Sequence, residues 1–455
     1  MADWTFFLAT FGCKVNQYES QALREAWQAL GGRETGDPAA AAWIVLNTCA
    51  VTARAVSDAR QAVRGLRRQA PDAGIVLAGC AASAAGSELA ALPGVAAVIA
   101  QSDKERLLAG PPFVSSLPAG LRPAPDRLPV PDWPAFRIAS FRRSRPVLKV
   151  QDGCSHGCAY CIVPLARGPA RSRAPEDVLD EAKRLLAAGY REIMLSGVNL
   201  HQYRAPGADR ADFWDLLARL DSALAPQWQG RARLRLGSID PAQFGAKAWD
   251  TLAAARLVCP HVHVSLQSGS PAVLRRMGRG HYDPAAMTEA ARALSAIWPV
   301  FGLGADVLVG FPGESRDECQ ETLDLLNALP LSYAHVFPYS RRPGTAAASL
   351  PDLPGSEKRE RAALIRTLAA QKQHVFLQRL LDMPELRLAL DAWPDSPDDP
   401  PGDLEDTQGA GQTRGITEFY AACILPAGSV KTDSRELLRA RPAGLAGRRL
   451  LGVLV

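Results

Sequence analysis

The first third of the chain alternates short apolar runs with stretches of helical periodicity. The runs that we predict as strands are Thr5–Thr10, Trp43–Leu46 and Gly74–Ala78. Between them, apolar side chains recur at helical spacing, over Glu19–Leu30 and Arg54–Gln69. Strands that alternate with helices predict a small parallel α/β sheet in residues 1–110.

A cysteine follows each of these three predicted strands. The three residues are Cys13, Cys49 and Cys80. In an open parallel sheet the carboxyl ends of the strands meet at one edge, where ligands bind. We therefore expect the three thiols to converge at this edge. The alternative is three unrelated buried cysteines, because unpaired cysteine is among the most buried residue types.

The alternation of strands and helices returns between residues 146 and 340. The six predicted strands are Val147–Val150, Glu192–Ser196, Arg233–Leu236, Val262–Leu266, Gly304–Val309 and Ala334–Tyr339. Six strand–helix units predict an open or partial (β/α)6 barrel, with its active site at the carboxyl ends of the strands. The turns expected at that end are the Cys154 loop, Ser196-Gly197, Gln267-Ser268-Gly269 and Gly310-Phe311-Pro312-Gly313.

The remaining segments complete the predicted domain organisation. Residues 111–134 hold eight prolines, which is typical of an extended linker. Residues 345–380 have helical periodicity, and Thr413–Leu425 and Leu450–Val455 are predicted strands. We predict an α/β domain at 1–110, a linker at 111–140, the barrel at 141–380 and a small β domain at 381–455. The acidic, proline-rich stretch Asp391–Asp406 is predicted to be a poorly ordered loop.

Composition and charge restrict the class of protein. The 455 residues are 47% hydrophobic, enough for buried cores, and about three domains are expected. No stretch approaches the ~20 apolar residues of a membrane span, and the first residues carry Asp3 without a basic leader. We therefore expect a cytosolic (cytoplasmic) protein. In that compartment nine cysteines indicate metal binding or catalysis more than disulfides. The net charge of +5 permits a polyanionic partner.

Three cysteines with gaps of three and two residues form the most specific pattern in the chain. Cys154, Cys158 and Cys161 follow the strand predicted at Val147–Val150. Thiolates are soft ligands that select zinc, copper(I) or iron–sulfur. An iron–sulfur cubane normally takes four thiolates, so three would leave one iron open to a small molecule. The alternative is a zinc loop completed by His156 or by a distant residue, although the usual zinc patterns are absent.

This three-cysteine loop resembles that of the radical S-adenosylmethionine superfamily, with Tyr160 as the aromatic residue before the last cysteine. The resemblance implies a [4Fe–4S] cluster whose open iron binds S-adenosylmethionine, from which reduction generates a 5′-deoxyadenosyl radical. It also implies that Tyr160 packs near adenine. We assign Ser196, Gly197 and Gln267 to contact with S-adenosylmethionine. Asp306, on the strand before Gly310, fits a structural role equally well.

The amino-terminal cysteines narrow the resemblance to the methylthiotransferases. The matching segments are TFGCKVNQYES (10–20), NTCAVT (47–52), AGC (78–80), QDGCSHGCAYCIVPLARGPARSR (151–173), HVSLQSGSPAVLRRMGRG (263–280), ADVLVGFPGE (305–314) and HVFPYSRRPGT (335–345). In that family Cys13, Cys49 and Cys80 would hold an auxiliary 4Fe-4S cluster, so the resemblance implies two 4Fe-4S clusters.

GCKVNQYES and ARGPARSR are most similar to the branch that acts on N6-threonylcarbamoyladenosine next to the transfer-RNA anticodon. The implied product is the 2-methylthio derivative. The expected partners are tRNA and an electron donor such as flavodoxin or ferredoxin, and the sulfur donor stays open. Isopentenyladenosine in tRNA or a ribosomal-protein side chain is an alternative substrate. A metal-stabilised RNA-binding protein without catalysis is the alternative of a different class.

Two groups of arginines flank the Cys154 loop and are candidates for phosphate contact. The predicted RNA-binding residues are Arg142, Arg143, Arg145, Arg171 and Arg173. The alternative is an ordinary solvated charged face. GQTRGITEFYAACILP (411–426) resembles part of the family's small RNA-binding β domain, known as TRAM, in a degenerate form. The remaining cysteines, Cys259, Cys319 and Cys423, are predicted to be structural.

Overall fold

The computed structural model describes residues 4–110, 133, 135–207, 210–390, 413–426, 428–430 and 435–455. The predicted acidic loop at Asp391–Asp406 and all but Trp133 of the proline-rich stretch 111–134 lie outside these residues. Within the described part of the chain, no helix combines the length and apolarity that crossing a membrane requires.

The chain forms two compact units. The first unit consists of Met1–Phe141, Lys149–Arg173 and Ser340–Ala348, and the second of Arg142–Leu148, Ala174–Tyr339 and Ser349–Val455. All six cysteines of the two predicted clusters therefore belong to the first unit, because the Cys154 loop groups with the amino-terminal sheet. The domain boundaries drawn from the sequence stay predictions.

A five-stranded parallel sheet forms the body of the first unit, as predicted. Its strand order is β2-β1-β3-β4-β5, with β1 (Trp4–Thr10), β2 (Gly32–Glu34), β3 (Trp43–Thr48), β4 (Gly74–Gly79) and β5 (Val95–Ile99). The helices of this sheet region are α1 (Lys14–Ala29), α2 (Ala53–Gln69), α3 (Cys80–Ala84), α4 (Gly86–Ala90) and the 3-10 helix Gln101–Ala109. The three strands and two helices predicted from apolar periodicity are confirmed.

The central strands are apolar on both faces because helices cover both sides of the sheet. Ile44 and Leu46 of β3 contribute to one core, whereas Val45 packs into the other, beside Trp27 of α1. The Trp27 indole is fully buried and donates its Nε1 hydrogen bond to the Leu107 carbonyl at 2.5 Å. This bond attaches the 3-10 helix to α1.

The second unit contains the predicted strands of the partial barrel, in two parallel sheets. The first has the order β10-β9-β6 and the second β11-β12-β13-β14. The strands are β6 (Val147–Lys149), β9 (Glu192–Ser196), β10 (Arg233–Leu236), β11 (Ser238–Ile239), β12 (His261–Gln267), β13 (Gly302–Val309) and β14 (Tyr333–Pro338). Between β6 and β9 the first unit adds the short antiparallel pair β7 (Gln151–Asp152) and β8 (Arg171–Ser172). The predicted strands are confirmed, and β11 is an addition.

Helices connect the strands of the second unit. They are α6 (Pro175–Ala187), α7 (Phe213–Trp228), α8 (Ala246–Ala254), α9 (Pro271–Arg276), α10 (Ala286–Ile297), α11 (Arg316–Ala328) and α12 (Gly355–Leu381), while α5 (Val163–Arg167) belongs to the first unit. The outward side chains of β12 and β13 are apolar and fully buried, as in Val262, Val264, Leu303 and Val307. Their opposite face carries histidine, aspartate and glycine instead.

A closed five-stranded barrel follows α12, with the order β15-β16-β17-β19-β18. Its strands are β15 (Leu386–Leu390), β16 (Thr413–Thr417), β17 (Ala422–Leu425), β18 (Leu438–Ala446) and β19 (Arg449–Leu454). The prediction of one strand over Thr413–Leu425 was wrong, because the segment is an antiparallel hairpin. Its turn contains no glycine or proline, yet Tyr420 adopts a φ of 66°. The sequence therefore lacked the usual turn signal.

Contacts with the sheet strands hold this hairpin turn in place. Arg235 donates hydrogen bonds to the carbonyls of Thr417 at 2.9 Å and Glu418 at 3.0 Å. Glu192 in turn accepts hydrogen bonds at 2.6 Å from both Arg235 and Arg233. The hairpin turn thus covers the amino-terminal ends of β10 and β13, where Gly302 lies against the Phe419 carbonyl.

The fit at Gly302 leads to a stability prediction. A Cβ at this position would lie 2.2 Å from the Phe419 carbonyl oxygen, a backbone atom that cannot move without displacing the turn. We expect Gly302→Ala to destabilise the protein by about 1–3 kcal/mol, as overpacking does. Urea or thermal unfolding measures the change.

Gly65→Ala is the matched control. Gly65 lies inside α2 and an added Cβ would meet no atom within 4 Å. This substitution should stabilise the helix by about 0.5–1 kcal/mol. If both substitutions changed the free energy of unfolding equally, the close approach of the Phe419 carbonyl to Gly302 would be contradicted.

Candidate metal centre

Cys13, Cys49 and Cys80 lie at the carboxyl edge of the five-stranded sheet, as their positions after strands imply. Cys13 is the N-cap of α1, Cys49 directly follows β3, and Cys80 begins α3 after β4. The chain passes close by at Gly12, which has a φ of +93° and where a Cβ would lie 2.8 Å from the Cys49 sulfur. The structure therefore brings these cysteines together.

Burial strongly affects the thiols of this set. It raises the pKa of Cys49 to about 11, and the neighbouring Cys80 and Cys13 thiols oppose its ionisation further. Burial also raises the pKa of Cys80. The thiolate is the form that binds metal, so a bound cation would have to displace these protons. The set is thus suited to a tightly held metal group rather than to free nucleophilic thiolates.

Cys154, Cys158 and Cys161 lie on the loop between β7 and α5. The backbone N–H of Cys154 donates to the Gly168 carbonyl at 3.0 Å, and that of Cys161 donates to the Cys158 carbonyl at 3.0 Å. Gly153, with a φ of +69°, lets the loop begin close to Pro169, because a Cβ would be 1.9 Å from the Pro169 carbonyl oxygen. Cys154 is buried, whereas Cys158 and Cys161 are half-buried.

The spacing of the sulfurs distinguishes a cluster from a single ion. Zinc–sulfur bonds of about 2.3 Å place the thiolates of a zinc site roughly 4 Å apart. Among the described residues, neither cysteine set has its three sulfurs all within 4.8 Å of one another. Iron–sulfur clusters are larger and spread their cysteine ligands over several irons. The residues present therefore fit a cubane at each set better than a single zinc ion.

A buried carboxylate, Glu19 of α1, connects the two cysteine sets. It accepts hydrogen bonds from Lys104 at 2.5 Å, from Lys149 at 2.6 Å and from Arg167 at 3.0 Å, and its side chain is fully buried. A second buried carboxylate, Asp152, binds Lys149 at 2.7 Å and Arg167 at 2.9 Å. We call these five residues the charge network. All five belong to the first unit.

The charge network keeps its carboxylates ionised despite their burial. Burial opposes the ionisation of Glu19, but the charges of Arg167, Lys104 and Lys149 hold its pKa well below the usual range. Burial likewise opposes the ionisation of Asp152, while Lys149 and Arg167 lower its pKa. Buried ions require such pairing, because an isolated charge in a protein interior is very costly.

Two asparagines extend the network to the backbone of the first cysteine set. Asn16 donates to the carbonyls of Phe11 at 2.9 Å and Thr48 at 3.0 Å, and accepts from Arg167 at 2.6 Å. Asn47 donates to the Asn16 carbonyl at 2.9 Å and accepts from Lys104 at 2.7 Å. These bonds fix the chain just before Cys13 and Cys49.

Among these network residues, the sequence indicated Arg167 alone, as a member of the arginine group after the Cys154 loop and a candidate for phosphate contact rather than for pairing with Glu19. Asn16, Glu19 and Asn47 do lie inside the segments that carry the family resemblance, directly around the cysteines. Lys104 and Lys149 lie outside those segments. Their shared burial is the signal that identifies them, and the sequence does not show it.

The segment Ser340–Ala348 also approaches both cysteine sets within the first unit. Its Ala347 N–H donates to the Ala159 carbonyl, between Cys158 and Tyr160, at 2.7 Å. Its Ser340 hydroxyl accepts from the Ala53 N–H at 3.1 Å, at the start of α2. Arg342 is buried, which lowers its pKa, and its charge is close enough to Cys49 to interact with it. This segment was quoted for its resemblance but not predicted to join the site.

The predicted S-adenosylmethionine contacts divide between the two units. Tyr160 is half-buried in the Cys154 loop of the first unit. Ser196 and Gly197 end β9 in the second unit, and Gln267 ends β12 with an unusual φ of 62°. The neighbouring Ser268 and Gly269 are packed against Thr322 of α11, which explains their small size without a ligand.

The predicted RNA-binding arginines differ in accessibility. Arg142 and Arg143 are half-buried in the second unit. Arg145 pairs with the buried Glu192 at 3.6 Å, and Arg171 pairs with Asp152 at 3.8 Å. Arg173 is fully buried, with the Tyr18 hydroxyl at 3.4 Å. Arg173 is therefore placed for packing, while the other four arginines are half-buried.

Comparison with known proteins places both halves of the site in families. A model of the radical SAM superfamily matches residues 148–326, and a model of an uncharacterized protein family, UPF0004, matches residues 5–100. The chain is 35% identical over 347 residues to the threonylcarbamoyladenosine tRNA methylthiotransferase MtaB of Bacillus subtilis, covering 75% of each chain. It is 31% identical to the tRNA-2-methylthio-N(6)-dimethylallyladenosine synthase of Solibacter usitatus, covering 83% of this chain and 84% of the relative.

The fold also resembles that of a solved enzyme structure. The radical S-adenosylmethionine methyltransferase TsrM of Kitasatospora setae, bound to tryptophan and an S-adenosylmethionine analogue, aligns with a TM-score of 0.58. The identity is 19%, and the alignment covers 76% of this chain and 75% of that one. This likeness supports the fold alone.

The charge network predicts a strong dependence of stability on Glu19. Glu19→Ala removes the carboxylate shared by three buried cations, and breaking a buried pair in this way costs about 3–5 kcal/mol. Glu88→Ala is the matched control, because its partner Arg60 is an exposed cation at 2.7 Å and such pairs contribute below about 1 kcal/mol. Urea unfolding of both variants measures the difference. A Glu19→Ala cost as small as that of the control would contradict the network's structural role.

Proposed function

Since this chain belongs to the radical S-adenosylmethionine methylthiotransferase family, we propose that it converts N6-threonylcarbamoyladenosine of tRNA into the 2-methylthio derivative. The name of the Bacillus subtilis relative supports this substrate, as do those of relatives from Rickettsia prowazekii and Aquifex aeolicus. The protein is an enzyme whose cofactors are [4Fe–4S] clusters and S-adenosylmethionine.

One observation carries the proposal. Two three-cysteine sets lie in the same compact unit, and the Glu19 carboxylate, on the helix that follows Cys13, binds Lys149 and Arg167 on either side of the Cys154 loop. Methylthiolation needs two capabilities, activation of a carbon–hydrogen bond and delivery of a methylated sulfur. A unit with two separate cluster sites, each with an open position, can provide both.

The roles of individual residues are part of the proposal. Cys154, Cys158 and Cys161 hold one cluster, and Cys13, Cys49 and Cys80 hold the other. A reduced cluster held by Cys154, Cys158 and Cys161 would supply, with S-adenosylmethionine, the radical chemistry that activation of the adenine carbon–hydrogen bond requires. Tyr160, Ser196, Gly197 and Gln267 orient S-adenosylmethionine. The charge network keeps the two loops rigid and dry, which limits side reactions of a reactive intermediate.

The partners follow from the substrate and the cofactors. The half-buried arginines Arg142, Arg143, Arg145 and Arg171 contribute to tRNA binding, together with the net charge of +5. A flavodoxin or ferredoxin supplies electrons. The reaction takes place in the cytoplasm, where its tRNA substrate is found.

Dimethylallyladenosine is the second candidate substrate. Relatives named tRNA-2-methylthio-N(6)-dimethylallyladenosine synthase are 31–35% identical to this chain, a range that overlaps that of the MtaB relatives. Overall identity therefore does not separate the two substrates. The side chains that surround the modified base must make this distinction.

A nucleoside assay tests the substrate. Purified, cluster-loaded protein with S-adenosylmethionine, dithionite and a sulfide source should convert tRNA that carries threonylcarbamoyladenosine. Mass spectrometry of the digested nucleosides should show the 2-methylthio product. If the protein converted tRNA with dimethylallyladenosine in preference to tRNA with threonylcarbamoyladenosine, the proposed substrate would be wrong. The family assignment would remain.

Loss of one cysteine from the first set should separate the two partial reactions. Cys13→Ala is expected to abolish methylthiolation but to preserve reductive cleavage of S-adenosylmethionine to 5′-deoxyadenosine. Iron should fall from about eight to about four atoms per chain, since each cubane holds four. Liquid chromatography and an iron assay give these quantities.

Cys319→Ala is the control for this experiment. Cys319 is a buried cysteine of α11 in the second unit and belongs to neither set. Its replacement should leave iron content and both reactions unchanged. If a folded Cys13→Ala protein lost both reactions, separate roles for the two cysteine sets would be wrong.

A further inference from the structure

The inner face of the four-stranded sheet in the second unit carries an unusual group of polar side chains. His263 of β12, Asp306 of β13, and Tyr333 and His335 of β14 lie side by side, and we call them the polar layer. The opposite face of β12 and β13 is apolar and buried, as barrel strands require. A polar inner face is not needed for folding, so it calls for another explanation.

The strand register brings the polar layer together. Gly304 pairs with both His263 and Tyr333, and Asp306 pairs with His335. A Cβ at Gly304 would lie 2.4 Å from the Tyr333 hydroxyl and 2.6 Å from His263 Nδ1. The absence of a side chain at Gly304 therefore allows the phenol and the imidazole to meet above the strand.

A hydrogen-bond chain fixes the orientation of these groups. Asp306 Oδ1 accepts from His263 Nε2 at 3.1 Å and from His335 Nδ1 at 3.2 Å. The Tyr333 hydroxyl lies 3.0 Å from His263 Nδ1 and 3.0 Å from His261 Nε2. Burial opposes the ionisation of Asp306, but His263 and His335 keep its pKa well below the usual range. Asp306 is thus a charged acceptor held between two imidazole donors.

Exposure increases along the polar layer towards the carboxyl ends of the strands. At the other end, Tyr420 of the hairpin turn stacks on His261 with ring centroids 4.7 Å apart. The side chain of Asp306 is 24% exposed and that of His335 is 54% exposed. Phe337, the next residue on this face of β14, is also exposed. Among the described residues, the layer is therefore most open at its carboxyl end, where a ligand can reach it.

Two polar atoms of the layer are available to such a ligand. In the described parts of the chain, His335 Nε2 and Asp306 Oδ2 have no hydrogen-bond partner. Because His335 Nδ1 carries the proton donated to Asp306, Nε2 is an acceptor in the neutral ring and a donor in the imidazolium. As an imidazolium, His335 can therefore donate from Nε2 to an anionic group of a ligand.

We propose that the polar layer recognises the threonylcarbamoyl group of the substrate nucleoside. This inference rests on the proposed function. The group carries urea N–H donors, a hydroxyl and a carboxylate. His335 Nε2 donates to the carboxylate, and Asp306 Oδ2 accepts from the hydroxyl or a urea N–H. The adjacent Phe337 covers the threonyl methyl group.

The same layer discriminates against dimethylallyladenosine. The dimethylallyl group offers no hydrogen bonds, so its binding would cover Asp306 and His335 without a polar partner. Sites built to hydrogen-bond a substrate reject analogues that lack the bond, because the polar groups are left unpaired. Asp306 and His335 are therefore residues that determine specificity, and no chemical step is assigned to them.

The test uses the full-length, cluster-loaded protein and three anticodon stem-loops. They carry threonylcarbamoyladenosine, dimethylallyladenosine or plain adenosine at the same position. His335→Ala is the main variant because its side chain is exposed and its loss should not affect folding. Asp306→Asn is the second variant. His374→Ala, an exposed histidine of α12, is the matched control.

We expect His335→Ala to weaken binding of the threonylcarbamoyl stem-loop about tenfold, as loss of a hydrogen bond to a charged group does. KM should rise by a similar factor with kcat little changed. Binding of the plain stem-loop should be unaffected, and His374→Ala should resemble the wild type. Asp306→Asn should reduce the preference for threonylcarbamoyl over dimethylallyl.

Other outcomes would overturn the inference. Equal weakening on all stem-loops would indicate a general RNA contact, and unchanged preference in both variants would exclude recognition by the layer. The ligand atoms of His263, Asp306 and His335 lie within 4.8 Å of one another. One zinc ion held by the cluster-free protein and lost in His335→Ala would therefore indicate a metal site instead. If the wild-type protein prefers the dimethylallyl stem-loop, the proposed function fails as well.

Discussion

The first unit depends on one constraint, which is that the negative charge of the buried Glu19 carboxylate must be balanced by nearby cations. Three cations meet this requirement, and each comes from a different part of the chain, Lys104 after the sheet, Lys149 before the Cys154 loop and Arg167 after it. Because a buried ion cannot lose its partners cheaply, these segments are held in one arrangement. The two cysteine sets belong to distant stretches of sequence, and this shared carboxylate explains how one compact unit fixes both. Asn16 and Asn47 accept hydrogen bonds from Arg167 and Lys104 and donate to backbone carbonyls near Cys13 and Cys49, so the same charges also fix the chain beside these cysteines.

In the second unit, the two faces of the sheet strands differ in polarity. Its strands are apolar where helices cover them, whereas the inner face of β12, β13 and β14 carries the polar layer. The hairpin turn of the carboxy-terminal barrel closes the amino-terminal ends of the strands through Arg235 and Tyr420. The inner face is therefore accessible from the end where Asp306 and His335 are exposed. The relatives are named for adenosines with either a polar or an apolar substituent, and we propose that the polar layer makes the choice between them.

Much of the fold could be predicted from local patterns. Glu192–Ser196 and Arg233–Leu236 were predicted to the residue, because a short apolar run and a strict alternation of polar and apolar residues, each followed by glycine, are clear strand signals. The hairpin at Thr413–Leu425 was predicted as one strand, because its turn contains neither glycine nor proline and depends on Arg235 for its carbonyl partners. The two-residue β11 is too short to leave a periodicity. The grouping of the Cys154 loop with the amino-terminal sheet in one compact unit could not be predicted from local patterns, because it depends on contacts between distant segments.

The sequence by itself determined the six cysteines, their spacing and their positions after strands, since metal chemistry demands these residue types and parallel sheets collect strand ends at one edge. It also carried the family resemblance that the comparisons bear out. Only the tertiary structure decided which charges are buried together. Glu19, Lys104 and Lys149 have the appearance of surface residues along the chain, and their role exists only where folding removes them from water. The same holds for Asp306, whose two imidazole partners come from neighbouring strands and are set by register.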